Sequence, residues 1–240
     1  MDIYIVTGAS KGLGFELCQQ LTERGHEVIG VARTKTSGIK QFIEADLSQT
    51  DNLEDTIHRI IEEYEQKATS FTLINNAGTV EPIGLIGTVT ARQMEQAIAL
   101  NLTAPMVLSN AFISKLKSFR GQKRIVSISS GAGRNAYEGW GVYCTTKAGL
   151  DHFTRVAAIE QQSATYPVDV MSIAPGIIDT GMQETIRSSD ASDFPLLDRF
   201  VDYKEQGKLS SAEEVAGKLI ALLDRKDFRS FCPIADIREI

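Results

Sequence analysis

Tyr143 and Lys147 stand four positions apart in the segment Tyr143-Cys144-Thr145-Thr146-Lys147. Residues four positions apart share one face of a helix, so the Lys147 ammonium is expected beside the Tyr143 phenol. A free phenol has a pKa of about 10, and a nearby cation lowers that pKa by favouring the phenolate. The Tyr143 phenol is therefore predicted to give up or accept a proton near neutral pH. The alternative is an amphipathic helix whose tyrosine packs and whose lysine points to water.

Ser130 is the candidate partner of this pair. It follows the apolar run 125–129, a predicted strand, and open α/β sheets bind their ligands at the carboxyl ends of strands. A hydroxyl at that position can hydrogen-bond a carbonyl oxygen. Ser127 and Ser129 belong to the same run, and side-chain alternation along a strand predicts that they turn the other way or are buried.

A glycine-rich turn follows the first predicted strand. Glycines allow a tight turn and close approach of a ligand to the backbone, and the N–H groups at the start of the next helix attract a pyrophosphate. The Gly-x3-Gly-x-Gly spacing meets the usual GxGxxG fingerprint only in part, so a simple tight connection is the alternative. The residues of this predicted phosphate cradle are Gly8, Ser10, Lys11, Gly12, Leu13 and Gly14.

The end of the second predicted strand indicates which dinucleotide binds. Folds that select NAD place a carboxylate about 20 residues beyond the glycines, where it accepts hydrogen bonds from the adenosine ribose. Arg33 occupies this region instead, and Lys11 adds a second positive charge. A guanidinium suits a 2′-phosphate, so NADP(H) is the predicted cofactor. The alternative is that both cations are merely solvated.

Short apolar runs alternate along the chain with longer stretches of helical periodicity, which is typical of βαβ units around a parallel sheet. The predicted strands are 3–6, 28–32, 42–45, 71–75, 125–129, 168–174 and a short one near 231–234. Apolar residues between them recur at helical spacing, as in Leu13, Leu17, Leu21 and in Leu53, Ile57, Ile60, Ile61, Tyr64. The predicted fold class is α/β, a Rossmann-like doubly wound parallel sheet of about seven strands with helices on both faces.

No linker rich in Pro, Gly or Ser divides the chain, so residues 1–240 are predicted to form one domain. The alternation weakens over 181–209, where a run of serines and aspartates interrupts helical patterns. A long irregular insert in a compact domain is usually functional, so this segment is predicted to be a substrate loop or lid. The following Ser210-Ser211-Ala212-Glu213 is predicted to be a capping box that starts a late helix.

The composition excludes several classes of protein. A chain of 240 residues with a formal charge of −6 and a pI near 5.2 is not expected to bind nucleic acid or an anionic membrane. Three cysteines without CxxC spacing and three scattered histidines predict neither a disulfide framework nor a metal site. The chain runs from Met1 directly into an apolar strand, and no segment has the length of a membrane span, so a cytoplasmic protein is expected.

Taken together, these motifs resemble the short-chain dehydrogenase/reductase family. The matching residues are Thr7-Gly8-x3-Gly12-x-Gly14, Asn75-Asn76-Ala77-Gly78, Asn101, Ser130, Tyr143-x3-Lys147 and Pro175-Gly176 with Thr180. The resemblance implies a seven-stranded Rossmann-like domain assembled as a homodimer or a homotetramer. It also implies that Tyr143 is the general acid, that Lys147 binds the nicotinamide ribose, that Ser130 orients the carbonyl, and that Asn101 supports a water-linked proton relay.

The same resemblance implies further cofactor contacts. It places Asp46 at the adenine, Asn75 on the adenosine side of the cofactor, and Ile178 with Thr180 at the carboxamide. On physical grounds Asp46 is equally well explained as a turn or N-cap residue. The remaining implied cofactor-binding positions are Leu47, Ala77, Gly78, Pro175 and Gly176.

A narrower resemblance, to the sepiapterin and benzil reductases within this family, concerns the substrate. It is carried by Gly139-Trp140-Gly141-Val142-Tyr143-Cys144, by residues 174–183 and by Gln206-Gly207-Lys208-Leu209. These enzymes act on vicinal or side-chain diketones. Sepiapterin reductases anchor the pterin with an aspartate near the chain end, where this sequence offers only Asp236, loosely in place. The predicted apolar pocket is Tyr137, Trp140 and Met182, while Phe194 and Leu196 are equally well read as core residues.

The expected function is therefore NADPH-dependent reduction of a small ketone, an aromatic or vicinal diketone, to a hydroxyketone. One alternative is a β-ketoacyl thioester reductase, which shares every catalytic residue but needs a basic patch for an acidic carrier protein. Arg134, Lys204 and Lys208 are too scattered in the sequence to predict such a patch. The other alternative is an NADP(H)-sensing protein without turnover, although such proteins typically lose the tyrosine or the lysine.

Overall fold

A seven-stranded sheet with only parallel pairings forms the centre of the computed structural model, which describes residues 1–240. The strand order is β3-β2-β1-β4-β5-β6-β7. The α/β prediction is thereby confirmed, including the number of strands. The strands are β1 (Asp2–Thr7), β2 (Glu27–Ala32), β3 (Gln41–Glu44), β4 (Ser70–Asn75), β5 (Gln122–Ile128), β6 (Asp169–Ala174) and β7 (Ile234–Asp236).

Helices cover both faces of the sheet because alternate strand residues point in opposite directions. In β1, Ile3 and Ile5 are buried in one core layer with residues of α2 and α4. Tyr4 and Val6 are buried in the other layer, with residues of α1 and α8. The helices are α1 (Gly12–Glu23), α2 (Leu53–Tyr64), α3 (Ala91–Ile98), α4 (Ala104–Lys115), α5 (Gly141–Gln161), α6 (Gly181–Arg187), α7 (Leu197–Glu205) and α8 (Ala212–Leu223).

Helices α3 and α4 form one stretch, Ala91–Lys115, joined by the π-helical segment Ala99–Thr103. By length and composition alone this stretch is apolar enough to cross a membrane. Its buried residues Ala104, Leu108 and Phe112 instead pack in the core layer formed with α2. The π-helical segment carries Asn101, and such segments often lie at functional sites.

Two predicted boundaries are shifted. The last strand was predicted near 231–234, but Phe228–Phe231 is a short 3-10 helix and β7 begins at Ile234. Pro233 precedes the strand and its carbonyl accepts the first bond from Ser172 N at 2.8 Å. The late helix is capped one residue later than predicted, because Ser211 Oγ accepts from Glu214 N at 3.0 Å.

Residues 181–209, named the lid below, are not the irregular insert that the sequence predicts. They contain α6 and α7, and the irregular parts are the segment between these helices and residues 206–209. Ile186, Phe194 and Phe200 of the lid are buried in a third apolar cluster with Trp140. Tertiary burial stabilises these short helices although their local periodicity is weak.

Candidate active site

Ser130 lies two residues beyond β5, in extended backbone that starts a single 3-10 turn, Gly131–Gly133. Its Oγ accepts a hydrogen bond from Ala132 N at 3.1 Å. A hydrogen bond with the Ser130 side chain also acts on the Tyr143 phenol, lowering the pKa of Tyr143. Ser127 and Ser129 are buried, as strand alternation predicts. The structure therefore brings Ser130, not its neighbours, to the tyrosine.

Tyr143 and Lys147 occupy the first two turns of α5, and both are buried. The Lys147 Nζ lies 5.7 Å from the centroid of the Tyr143 ring and donates to the carbonyl of Ile128 at 2.8 Å. The structure thus places the pair together, as the spacing predicts. The Ile128 carbonyl at the end of β5 fixes the position of the ammonium.

The direction of the tyrosine pKa shift differs from the prediction. Burial raises the pKa of Tyr143 to about 12, and the hydrogen bond with Ser130 opposes this only in part. Burial also lowers the pKa of Lys147 to about 8. Removal of water disfavours the charged form of each group. The attraction between the two groups follows from their spacing in the sequence, whereas their shared desolvation does not.

Asn101 completes the group from the π-helical segment. Its Oδ1 accepts from Thr79 N at 2.8 Å, and its Nδ2 donates to Thr79 O at 2.8 Å. The amide therefore holds the segment that follows β4. A Cβ atom placed on Gly78 would lie 3.2 Å from Asn101 Oδ1 and 3.6 Å from Lys147 Nζ. A side chain here would require Asn101 Oδ1 to shift by a few tenths of an ångström, so the Gly78 backbone lies close to both groups.

The predicted phosphate cradle lies between β1 and α1. Gly8 and Gly12 have φ of +67° and +56°, a region that favours glycine. A Cβ on Gly14 would lie 2.3 Å from Gly8 O, so the turn itself requires this glycine. Lys11 at the N-cap makes no side-chain cap bond, and the first turn of α1 holds no acidic residue. The positive end of the helix therefore fits a pyrophosphate.

The two residues predicted to contact a 2′-phosphate, Arg33 and Lys11, lie in different surroundings. Arg33 is exposed directly after β2, and its charge helps to lower the pKa of Asp46, after the larger effect of hydrogen bonds from Ser48. Asp46 Oδ1 accepts from Ser48 N at 3.0 Å, so the turn alternative describes its local structure. Lys11 Nζ lies 3.8 Å from the Cβ position of Gly181 and thus approaches the lid.

The other implied cofactor residues flank the carboxyl edge of the sheet. Asn75 is buried, donates to Ser109 Oγ at 3.1 Å, and keeps an unpartnered Oδ1. Ala77 N donates to Thr7 Oγ1 at 3.1 Å. The Leu13 and Leu47 side chains belong to the two core layers, so only their backbone can face a ligand. Half-buried residues beside the cradle are Ser10, Gly78, Gly176, Ile178 and Thr180, and Pro175 is buried.

The residues immediately before the lid contact this edge. The Thr180 Cγ2 atom lies 3.3 Å from the Cβ position of Gly12. Ile178 forms a parallel bridge with Ser210, which closes the base of the lid. Gly176 has φ of +80°, which turns the chain from β6 toward the lid. The glycine turn and the lid base thus approach each other across the predicted cofactor site.

Tyr143 belongs to a cluster of aromatic rings that also includes Tyr137, Trp140, Phe194 and Phe200. The Trp140 ring stacks on Phe194, with centroids 4.8 Å apart and planes 15° apart. The Trp140 ring also contacts three other rings. The distance between centroids is 5.5 Å to Tyr143, 5.1 Å to Phe200 and 5.6 Å to Tyr137. Phe194 is fully buried, and Met182 and Leu196 pack against the cluster. Predicted pocket and predicted core residues are therefore parts of one structure.

Three polar groups complete the description of the site. Asp236 accepts from Arg238 Nε at 2.8 Å and from Nη2 at 2.6 Å, so its carboxylate is paired within the chain. Gln183 is buried in α6 with an unpartnered Oε1, and Trp140 Nε1 is also unpartnered. Sequence reasoning did not assign Gln183, although it directly follows Met182.

Two of the three cations considered as a carrier-protein patch are paired with carboxylates of the same chain. Arg134 pairs with Asp151, with 3.2 Å between Nε and Oδ2. Lys204 pairs with Asp179 at the base of the lid. Lys208 lies over the Tyr203 ring, 6.0 Å from its centroid.

A parallel sheet in this order, a glycine cradle at β1 and a Ser-Tyr-Lys group with buried tyrosine and lysine are together typical of the Rossmann-type, nucleotide-dependent oxidoreductases. The chain matches the model of the short chain dehydrogenase family over residues 2–191. It is 41% identical over 229 residues to a benzil reductase ((S)-benzoin forming) of Bacillus subtilis, covering 94% of each chain. It is 30% identical over 249 residues to sepiapterin reductase of Rattus norvegicus, covering 95% of this chain and 93% of that protein.

A short-chain dehydrogenase/reductase from Saccharomyces cerevisiae has the same fold, with a TM-score of 0.83 at 24% identity, covering 99% of this chain and 96% of the other. The protein belongs to the short-chain dehydrogenase/reductase family and is an oxidoreductase of that family. Membership implies a nicotinamide dinucleotide, NAD(P)(H), as its cofactor.

Proposed function

We propose that the protein is an NADPH-dependent carbonyl reductase that converts a vicinal or aromatic diketone to a hydroxyketone. The observation that carries the proposal is the position of Tyr143, which is buried, has Lys147 Nζ 5.7 Å from its ring centroid, lies within reach of the Ser130 hydroxyl and packs edge-on against Trp140. The candidate proton donor is thus itself part of the aromatic cluster.

The raised pKa of Tyr143, about 12, suits reduction rather than oxidation. A phenol that stays protonated at neutral pH has its proton available when negative charge develops on a carbonyl oxygen. Ser130 donates a second hydrogen bond to that oxygen. The Lys147 ammonium stabilises the phenolate that remains after proton transfer. The bound cofactor supplies the hydride.

The residues that would hold the cofactor are those of the glycine cradle, Asn75 and the segment from Pro175 to Thr180. We assign NADP(H) rather than NAD(H) because Arg33 stands at the end of β2, where NAD-selective folds place a carboxylate. Arg33→Ala is expected to weaken NADPH binding at least tenfold and to leave NADH binding within about twofold. Titration of cofactor fluorescence measures both, and an equal loss for the two cofactors would contradict the assignment.

The substrate class rests on the aromatic cluster and on the relatives. Stacked and edge-on rings favour a flat aromatic ligand, and the 41% identical relative is named for reduction of benzil to (S)-benzoin. Asp236, the residue considered as a pterin anchor, is paired with Arg238 within the chain. A benzil-type diketone is therefore favoured over a pterin.

The decisive experiment mixes purified protein, NADPH and benzil, and follows loss of cofactor absorbance together with the chirality of the product. Formation of (S)-benzoin is expected. Tyr143→Phe is expected to lower kcat by about 100-fold or more, as removal of a general acid does, with cofactor affinity nearly unchanged. Tyr166→Phe, a change in the loop before β6, is the matched control.

A β-ketoacyl thioester and a pterin diketone serve as competing substrates in the same assay. Faster reduction of the thioester would replace benzil by the first alternative. Tight NADPH binding without oxidation by any carbonyl would instead favour the sensing protein. If Tyr143→Phe retains activity, the assignment of Tyr143 as the general acid is wrong.

We further propose a cytoplasmic homodimer. Four apolar side chains are exposed on the adjacent helices α3, α4 and α5, namely Ile98, Met106, Val156 and Ile159. Ile159, at 65% exposure, is the most accessible of them. A second copy of the chain would cover this face. Ile159→Asp is expected to give a monomer in light scattering, whereas a wild-type mass of four chains would indicate the homotetramer.

A further inference from the structure

Asp151 lies one helical turn beyond Lys147 on α5, and only 1% of the residue is exposed. Its Oδ2 accepts from Arg134 Nε at 3.2 Å, and its Oδ1 accepts from Ser172 Oγ at 2.6 Å. Arg134 also donates from Nη2 to the carbonyl of Ala235 at 3.0 Å. One buried carboxylate thus joins α5 to β6 and, through the arginine, to β7.

Arg134 also ends the turn that begins at Ser130. This turn lies directly against α5, because a Cβ on Gly133 would be 2.9 Å from the carbonyl carbon and oxygen of Lys147. The Arg134–Asp151 ion pair therefore clamps the Ser130 turn onto the helix that carries Tyr143 and Lys147. No other side-chain hydrogen bond joins Arg134 to α5.

The charges around Lys147 give Asp151 a second role. Burial lowers the pKa of Lys147 to about 8, and Asp151 is the charged group that acts in the opposite direction. Tyr143 is neutral at this pH. Beyond Arg134 lies Asp236, whose low pKa arises first from Arg238 and in small part from Arg134. Asp151 is therefore the acidic group whose charge acts on Lys147, in addition to its pairing with Arg134.

We propose that Asp151 is a positioning residue for the proposed reduction: with Arg134 it holds the Ser130 turn on α5, and it supplies the buried negative charge on the helix face of Lys147. The inference rests on the proposed function for its kinetic consequence. Its electrostatic consequence depends only on the chain itself. Asp151 is buried whereas the Arg134 side chain is 28% exposed. Removing the carboxylate takes away the buried charge and the contact with the turn together, so the effect is expected to exceed that of an exposed ion pair.

Asp151→Asn tests the proposal, because the amide keeps the shape and can still accept from Ser172. We expect kcat for benzil to fall about tenfold or more with KM within about threefold, and the basic limb of the kcat/KM profile to move about one pH unit lower. Asp151→Glu is expected to restore the limb. A purely structural role would lower the thermal midpoint and leave the limb in place.

Arg134→Gln separates the two roles, because it breaks the clamp and retains the carboxylate. It is expected to lower kcat without moving the basic limb to lower pH. Ser172→Ala is expected to lower stability alone. If Asp151→Asn keeps the wild-type kcat and the basic limb of its kcat/KM profile does not move, the proposal is overturned. If Asp151→Asn does not fold, the decision falls to Arg134→Gln. A basic limb at lower pH in that variant would then overturn the proposal.

A readout without turnover keeps this test apart from the test of function. In protein labelled with 13Cε-lysine, the Lys147 resonance is expected to titrate at lower pH in Asp151→Asn than in the wild type. If the wild type reduces no diketone, the proposed function fails while this titration still decides the role of Asp151. Equal titration in the two proteins would overturn that role.

Discussion

The Ser-Tyr-Lys group and the lid are held in place in different ways. Lys147 is held by a buried hydrogen bond to Ile128 O, Ser130 accepts a hydrogen bond from Ala132 N, and the buried Tyr143 ring packs against Trp140. The lid is fixed by ring packing of Phe194 and Phe200, by the Ile178–Ser210 bridge and by exposed ion pairs. Directional hydrogen bonds thus position the Ser-Tyr-Lys group, whereas non-directional packing and solvent-screened ion pairs position the lid.

This difference predicts which measurements each region controls. Buried directional bonds fail steeply when a partner is removed, because the remaining polar group is left without compensation. Aromatic packing fails in proportion to the surface lost, and exposed ion pairs change little. Substitutions in the Ser-Tyr-Lys group should therefore act on kcat, and substitutions in the lid should act on substrate preference and stability.

Lys147→Met is expected to have the largest effect in this comparison, a loss of at least about 100-fold in kcat. Methionine fills the buried space but supplies no charge to the phenolate and no donor for Ile128 O. Lys218→Met, at an exposed ion pair with Glu214 in α8, is the matched control and should retain wild-type kcat. Steady-state kinetics with benzil check both, and a loss below tenfold for Lys147→Met would argue against its role.

Phe194→Ala tests the lid. Loss of this buried ring is expected to lower the free energy of unfolding by about 3–5 kcal/mol, measured by urea denaturation. Benzil should lose about tenfold in kcat/KM, chiefly through KM, whereas a small aliphatic diketone that cannot span the cluster should lose less. Phe119→Ala, at the T-shaped pair with Phe71 outside the site, controls for general destabilisation. An equal loss for both substrates would show that the cluster does not read the substrate.

The contrast between the two regions also explains what the sequence predicts well. The Tyr143-x3-Lys147 spacing and the glycine cradle are local features, and helix geometry or a single turn is enough to position them. The strands are predictable because both faces of a parallel sheet are buried, which gives continuous apolar runs. These are the parts of the fold and the site that sequence and structure have in common.

Other features depend on contacts between distant segments. Trp140 meets Phe194 and Phe200 only after α6 and α7 fold back over the site. The direction of the Tyr143 pKa shift depends on burial, which the local motif does not reveal. Asp151 has a sequence signal, since it follows Lys147 by four residues, but its partners Arg134 and Ser172 come from two other elements.

The pH dependence of activity sharpens the comparison from the side of the Ser-Tyr-Lys group. Lys147, with a pKa of about 8, is charged below that pH and loses its proton above it. The pKa of Tyr143, about 12, keeps the phenol protonated across the same range. With NADPH as the varied substrate, kcat/KM should fall about fourfold between pH 7 and pH 8.5. A flat profile through pH 9 would show that the charge on Lys147 is not required.

Lys204→Met is expected to have the smallest effect. The Lys204–Asp179 ion pair joins α7 to the base of the lid, but the two side chains are 50% and 38% exposed. Exposed ion pairs contribute about 0–1 kcal/mol because water screens the charges. Two backbone bonds remain at the base: Asp179 N donates to Ser210 O at 2.9 Å, and Ser210 N donates to Ile177 O at 3.0 Å.

For Lys204→Met, kcat/KM for benzil should therefore stay within about threefold of the wild-type value, which corresponds to less than about 1 kcal/mol. High salt should reduce even this difference, since it screens the wild-type pair. The measurement is kcat/KM of both proteins at low and high salt. A tenfold loss that persists at high salt would mean that the ion pair, rather than aromatic packing and the backbone bridge, holds the lid in place.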